Sequence, residues 1–367
     1  MNIEILADNL RRLRSVNKLS QSKLAERADV SLPTIKNLEI GKAAPKVNTM
    51  LLIAKALGVG LEQLFAPVKI LKTVRFRSTK QMRNRSQILA EVSGWLDDFN
   101  MLEKLLNVSA HYMLSKIAKK SDSTKPEKIA ESCRSLMKLS HNEPIRDICG
   151  LLEHSGIKVM PISSASPGFF GLSVGEEDDG PAIVVNIRDG ISVERQIFSA
   201  AHELGHLLMH QSAYDVENCT ENKHEEYEAN AFASHFLMPD KAFLKEWEEA
   251  SGLHVVDRVL KVRSLFNVSY KTVLYRLVEL KLADETVWVK FNFAFQAKYR
   301  KQLSNKIEPD ALEPFGNSRY AFYEDRFRLL VRKAIDTDKI SLSRAAEMLR
   351  IKIEEMHDLV QMWSIAS

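Results

Sequence analysis

Residues 198–210, FSAAHELGHLLMH, constrain this chain more tightly than any other stretch. His202 and His206 stand four positions apart, about one helical turn, so on a helix both imidazoles leave the same face. Two ring nitrogens placed in this way can hold one zinc ion. Glu203, next to the first histidine, is positioned to take a proton from a metal-bound water instead of ligating the metal. Phe198, Ala201, Leu204, Leu207 and Leu208 surround the polar trio, which predicts a largely buried helix whose histidines and carboxylate need partners. Gly205 is expected to keep the face next to the metal open.

A catalytic zinc usually keeps three protein ligands and one open position, so a third ligand is sought after His206. In residues 224–239, HEEYEANAFASHFLMP, the apolar positions Ala229, Phe232, Ala233, Phe236 and Leu237 set one face of a second helix. Glu225 and Glu228 both fit by spacing, with His235 and Glu226 in reserve. Upstream, residues 157–161, 169–174 and 182–187 read as short strands. They predict a small antiparallel sheet, with residues 183–186 as an edge that could hydrogen-bond an extended peptide. Cys219 lies between the second histidine and these acids, where a thiolate is a candidate occupant of the open zinc position. Tyr214, His210 and Arg195 are candidate oxyanion donors.

At the N-terminus, Leu6, Leu10 and Leu13 recur at helical spacing, and Ser20 and Ser31 stand where N-caps would open two further helices. Residues 48–57 and 61–65 supply two more, split by Gly58. This span resembles the Xre family of phage-repressor-like helix-turn-helix domains, on the segment LSQSKLAERADVSLPTIKNLEIGKAAPKVNTMLLIAKALGVGLEQLF. The resemblance implies that residues 31–39 enter the DNA major groove, with Ser31, Thr34, Lys36 and Asn37 as contacts and Gln21 at phosphates. Leu32 and Pro33 stand where such domains often carry a polar base-reading side chain, so relaxed sequence specificity is expected.

HELGHLLMH together with EYEANAFASHFLMP, and IVVN upstream, resembles the ImmA/IrrE family of zincin-type metallopeptidases over about residues 150–250. That resemblance implies Glu228 as the third zinc ligand and Glu203 as the general base. It also implies Asn230 as a residue that holds a histidine in its ligating tautomer. Members of the family commonly cut a partner repressor, often of Xre type, and release stress-response, phage or mobile-element genes.

Composition bounds the rest. The 367 residues suit two or three domains, and their 45% hydrophobic content is ordinary for a globular protein. Residues 1–66 carry ten Lys and Arg against six Asp and Glu, and residues 68–90 add seven basic residues with no acid. That surplus suits a polyanion, double-stranded or single-stranded DNA, and Lys69, Arg75 and Arg77 are expected at its phosphates. Three scattered cysteines suit a reducing, cytoplasmic compartment, and no apolar run suggests a membrane span.

The expected fold is α+β and mostly helical, in four parts. Residues 1–66 form a five-helix DNA-binding domain and 67–128 a basic, helical linker region. Residues 129–282 form a zincin-like domain, and 283–367 a C-terminal mainly helical region in which 287–295 read as a strand. The expected function is zinc-dependent cleavage of a repressor, with a homodimer as a further partner state. The competing reading is a DNA-binding regulator or antitoxin-like protein whose zincin module does not cut.

Overall fold

The computed structural model describes residues 3–17, 19–42, 45–65, 71, 74–78, 85–118, 125–140, 142–166, 168–210, 222–301, 303 and 313–365. The chain divides into two compact units, Met1–Leu71 with Arg83–Asp97, and Lys72–Met82 with Asp98–Ser367.

The first unit begins with α1 (Ile3–Val16), α2 (Gln21–Arg27), α3 (Leu32–Glu39), α4 (Val47–Leu57) and a 3-10 turn at Leu61–Leu64. Ser20 and Ser31 cap α2 and α3 by accepting the backbone N–H of Lys23 and Thr34, which satisfies donors the helices leave open. Gly58, at a φ of 71°, ends α4 in the left-handed conformation that glycine adopts without strain. Leu6, Leu10, Leu24, Ile35, Leu38 and Ile53 form the core. The five short helices expected from the sequence are thus four α-helices and one 3-10 turn.

The long helix α5 (Arg85–Leu106) crosses the division at Asp97. The second unit contains the strand β1 (Val74–Ser78), α6 (Ser115–Ala118), α7 (Pro126–Leu136) and α8 (Ile148–His154). Then come β2 (Lys158–Ile162), β3 (Phe169–Val174), β4 (Ala182–Asn186), α9 (Val193–Met209) and α10 (Lys223–Leu237). The chain closes with α11 (Asp240–Glu249), α12 (Val255–Phe266), α13 (Tyr270–Glu279), α14 (Val287–Tyr299), α15 (Arg326–Asp336), α16 (Leu342–Leu349) and α17 (Ile353–Ile365).

The sheet runs β1-β3-β4-β2, and it corrects the expected antiparallel arrangement. β3 is antiparallel to both β1 and β4, whereas β2 and β4 are parallel. Residues 183–186 are therefore not an edge. They lie in the interior strand β4, all of whose residues are buried, and the apolar run Ile-Val-Val reflects cover on both faces. β1 was not anticipated, because it lies in a segment that reads as a basic, helical linker.

Residues 287–295 are helix, not strand. Their alternating aromatics suggested a two-residue period, but Val287, Phe291 and Phe295 are buried at four-residue intervals while Val289 and Phe293 face solvent.

α9 packs beneath β3 and β4, and α10 packs on α9 and α7. The three leucines of α9, Leu204, Leu207 and Leu208, are buried, each contributing about 1.5–3 kcal/mol of transfer free energy. Gly205 faces α10 and not the metal position expected for it. A Cβ there would lie 3.0 Å from Phe232 Cδ1 and 3.3 Å from Ala229 Cα, so the missing side chain sets the close helix approach. The buried Arg134 donates to the carbonyl of Phe236 at 2.8 Å and so satisfies an open carbonyl in the last turn of α10. Among the described residues no helix is long and apolar enough to cross a membrane.

Candidate metal centre

Ser192 opens α9 by accepting the N–H of Arg195, and the helix carries His202, Glu203 and His206 into the core, each at most 1% exposed. Nε2 of His202 and Nε2 of His206 face each other at 2.9 Å. The carboxylate of Glu226, on α10, closes the triangle at 3.2 Å from the first nitrogen and 3.1 Å from the second. Among the described residues these three form the group whose ligand atoms could hold a metal ion.

Glu228, expected as the third ligand, is elsewhere. Its Oε2 lies 3.0 Å from Nε2 of His210 and 3.3 Å from Nδ1 of His224. The reason is helix phase. Two residues along a helix is a rotation of about 200°, so Glu226 and Glu228 point to nearly opposite sides. Glu226 and Asn230, four apart, share a face, and Oδ1 of Asn230 lies 2.9 Å from Nδ1 of His202.

The outward sides of the two rings settle their tautomers. Oδ1 of Asn230 can only accept, so Nδ1 of His202 donates to it and Nε2 keeps its lone pair. Nε2 of His210 donates to the Glu228 carboxylate, which leaves Nδ1 of His210 to accept from Nδ1 of His206 at 2.9 Å. His206 therefore also turns a lone pair inward.

Burial, then the neighbouring charge of His202, pushes the His206 pKa well below the usual histidine value, which keeps the ring neutral. Burial raises Glu226, but hydrogen bonding and charge from His202 and His206 outweigh it and hold the carboxyl far below the ordinary range. Burial also lowers His210 against the opposing pull of Glu228. The two Nε2 atoms and a carboxylate thus face one another within 3.2 Å. A divalent cation fits such a site, and the mixed nitrogen and oxygen donor set suits zinc.

Glu203 accepts from Ser173 Oγ at 3.1 Å, a contact from β3. Gly171, on the same face of that strand, leaves space for it: a Cβ there would lie 3.1 Å from Glu203 Oε1 and 2.9 Å from the Val184 carbonyl. Sequence reasoning missed Ser173 and Gly171, since nothing local marks them. It underrated His210, whose signal was its place one turn beyond His206.

Of the proposed oxyanion donors, His210 has both ring nitrogens engaged and Arg195 stacks over Phe170 at 4.0 Å. Tyr214 and Cys219 lie outside the described residues.

Arg75, expected at DNA phosphates, is 9% exposed. It pairs with Glu225 and approaches Glu226 at 3.6 Å. Lys69 and the Arg77 side chain lie outside the described residues.

In the first unit, Lys36 and Asn37 are exposed on α3, and Ser31 Oγ and Thr34 Oγ1 lie 2.8 Å apart in the cap. Gln21 donates to Glu39 at 2.7 Å, and Arg14 pairs with Glu39 at 2.5 Å. Leu32 packs against the core of this unit, so it is only half available to a partner.

These features define a helix pair with a candidate metal site under a small sheet, preceded by a helix-turn-helix unit, and comparison with known proteins agrees. Residues 152–278 match the family of IrrE N-terminal-like domains, Peptidase_M78, and residues 10–64 match a helix-turn-helix family. The two matched domains in one chain fit the ImmA/IrrE architecture, which points to a metallopeptidase joined to a DNA-binding unit. No curated protein matches. Among solved structures, the apo form of ComR from S. Thermophilus is similar at 12% identity over 98% of this chain and 95% of that one. Its TM-score of 0.17 carries no structural argument.

Proposed function

We propose that the protein is a zinc-dependent, site-specific endopeptidase that cuts a partner repressor, with its helix-turn-helix domain placing it on DNA. The observation that supports this is the inward set of lone pairs from His202, His206 and Glu226, with the buried Glu203 adjacent on α9. Glu226 is the third ligand in this reading, in the role first expected of Glu228. Asn230 fixes the His202 ring, and His210 with Glu228 fixes the His206 ring.

When bound, zinc supplies the Lewis acidity that acidifies a water molecule and polarises a peptide carbonyl. Glu203 takes the proton from the attacking water and returns it to the leaving amine. Ser173 holds one oxygen of that carboxylate, so the base meets the water in a fixed orientation. The bond broken is the peptide C–N bond, and the water is divided between the new carboxylate and amine.

On the DNA side, Ser31, Thr34, Lys36 and Asn37 of α3 are the groove-facing residues of this reading, with Gln21 bracing Glu39 behind them. A repressor of Xre type is the substrate, and its loss releases stress-response or mobile-element genes. The test is cleavage of the repressor encoded beside this gene: zinc-loaded protein is expected to cut it at one bond, and Glu203→Gln to bind zinc without cutting. Equal cleavage by Glu203→Gln would sink the mechanism.

A further inference from the structure

We propose that residues 74–78 of this chain occupy the strand position meant for the peptide substrate and hold the site closed from within. The inference rests on the peptidase reading and names the regulation of that site, together with the kind of segment it accepts.

The strand that touches the proposed base is β3, through Ser173 and the space at Gly171. One side of β3 is paired with β4. The other side is the sheet edge along which an extended peptide would add as a further antiparallel strand. β1 is on that edge. It runs antiparallel to β3, with Val74 opposite Val174, Arg75 opposite Ser173, Phe76 opposite Leu172 and Arg77 opposite Gly171. The register shifts between Arg77 and Ser78, which pairs with Phe169, so β1 runs the length of β3, including the stretch that faces Glu203.

A side chain adds to the backbone pairing. Directly opposed residues of an antiparallel pair share a face, so Arg75 lies on the face where Ser173 meets Glu203. Its guanidinium bonds Glu225 and lies 3.6 Å from Glu226, one of the three metal-facing groups. An arginine fixed there both anchors the strand and places a positive charge beside the site. The segment that β3 accepts in trans is accordingly an extended peptide with a basic residue aligned to Glu225 and Glu226. Substrate engagement then requires β1 to leave.

The probe is a fluorescein-labelled peptide of residues 72–80, KTVRFRSTK, titrated into the full chain carrying Glu203→Gln so that nothing is cut. Arg75→Glu sets two carboxylates against the incoming one and is expected to free the edge, binding the peptide at least about tenfold tighter than the chain with its own Arg75. Glu225→Gln breaks the same pair without reversing a charge and is expected to loosen it less. Hydrogen exchange supplies a second readout. Amides of residues 169–174 are expected to be protected with Arg75 present, faster in Arg75→Glu, and protected again on adding Glu225→Arg to that variant.

Equal peptide affinity with and without Arg75, or unchanged exchange across both variants, overturns the proposal. So does cleavage within residues 74–78 of the zinc-loaded parent, since the segment would then be a substrate and not a block. Peptide binding that follows these expectations while the Glu203 chain hydrolyses nothing leaves the docking account standing and removes the peptidase one. Hydrolysis that Arg75→Glu leaves unchanged does the reverse.

Discussion

Exchanging the roles of Glu226 and Glu228 is the sharpest claim the site makes, and two substitutions separate them. Glu226→Gln removes what is, among the described residues, the one anionic group facing the two Nε2 atoms. Glu228→Gln leaves all three facing groups in place and weakens the contact with His224 and the hydrogen bond that orients His210, and through it His206.

A hydrogen bond to a charged group is worth about 1.5–3 kcal/mol, and the Glu228 side chain, at 30% exposure, falls at the low end. Transmitted fully to the metal, that is about tenfold in affinity, within the range of about 10–100-fold found for such outer partners. Glu226→Gln is expected to exceed that range. Competition titration of zinc against a chromophoric chelator reads both, and the cobalt-substituted spectrum reports the coordination number. Because Glu228 acts on the facing groups through His210, His210→Ala and the double variant with Glu228→Gln are expected to bind zinc equally well. Stoichiometric zinc in Glu226→Gln, with loss of zinc in Glu228→Gln, would restore the assignment made from the resemblance and refute the geometric one.

Four further outcomes follow. Burial pushes the Glu324 carboxyl up to about 7, and burial with the charge of Glu324 pushes Glu153 up to about 9. The folded chain thus keeps protons that the unfolded chain has released above about 4.5, so the pair's stability is full below that pH and is lost as pH rises through about 7 and then about 9. The melting temperature should fall over that window, with a shallower slope in Glu324→Gln; identical slopes would count against it. Gly205→Val drives a side chain into Phe232 and Ala229 and should cost about 1–3 kcal/mol in urea unfolding; an unchanged midpoint would mean that α9 and α10 are not held that closely. DNA affinity should fall steeply with salt, and Lys36→Ala should lower the salt slope by about one; salt-independent binding contradicts the phosphate contacts. Arg75→Ala should leave DNA affinity unaltered, since its guanidinium is committed to Glu225; a lowered affinity measured by gel shift would argue otherwise.

The candidate metal-binding helix was legible because its information is local: one turn separates His202 from His206, and apolar neighbours declare its burial. The third candidate ligand was not. Residues 225, 226 and 228 are all glutamate, and only the rotation of α10 against α9 chooses among them. Asn230 was a usable clue, since a residue that reaches His202 must share its helix face with the ligand, which favours position 226. β1 escaped notice for a different reason. Its basic alternation, Val-Arg-Phe-Arg-Ser, suits a solvated linker, and its strand conformation depends on β3, about a hundred residues away. The interior position of β4 and the parallel pairing with β2 are likewise products of long-range contacts. α14 shows the converse error, in which a two-residue alternation was visible but the burial that mattered followed every fourth residue.

The central claim, that Glu203 serves as the base of a metal-dependent peptidase, is tested most directly by intact-mass spectrometry of the neighbouring repressor. It would be incubated with zinc-loaded protein carrying Arg75→Glu, with and without Glu203→Gln. The expected result is a single cut that requires both zinc and Glu203, with zinc content equal in the two forms. A cut made as quickly by the Glu203→Gln form, or made after zinc is stripped, would contradict the account.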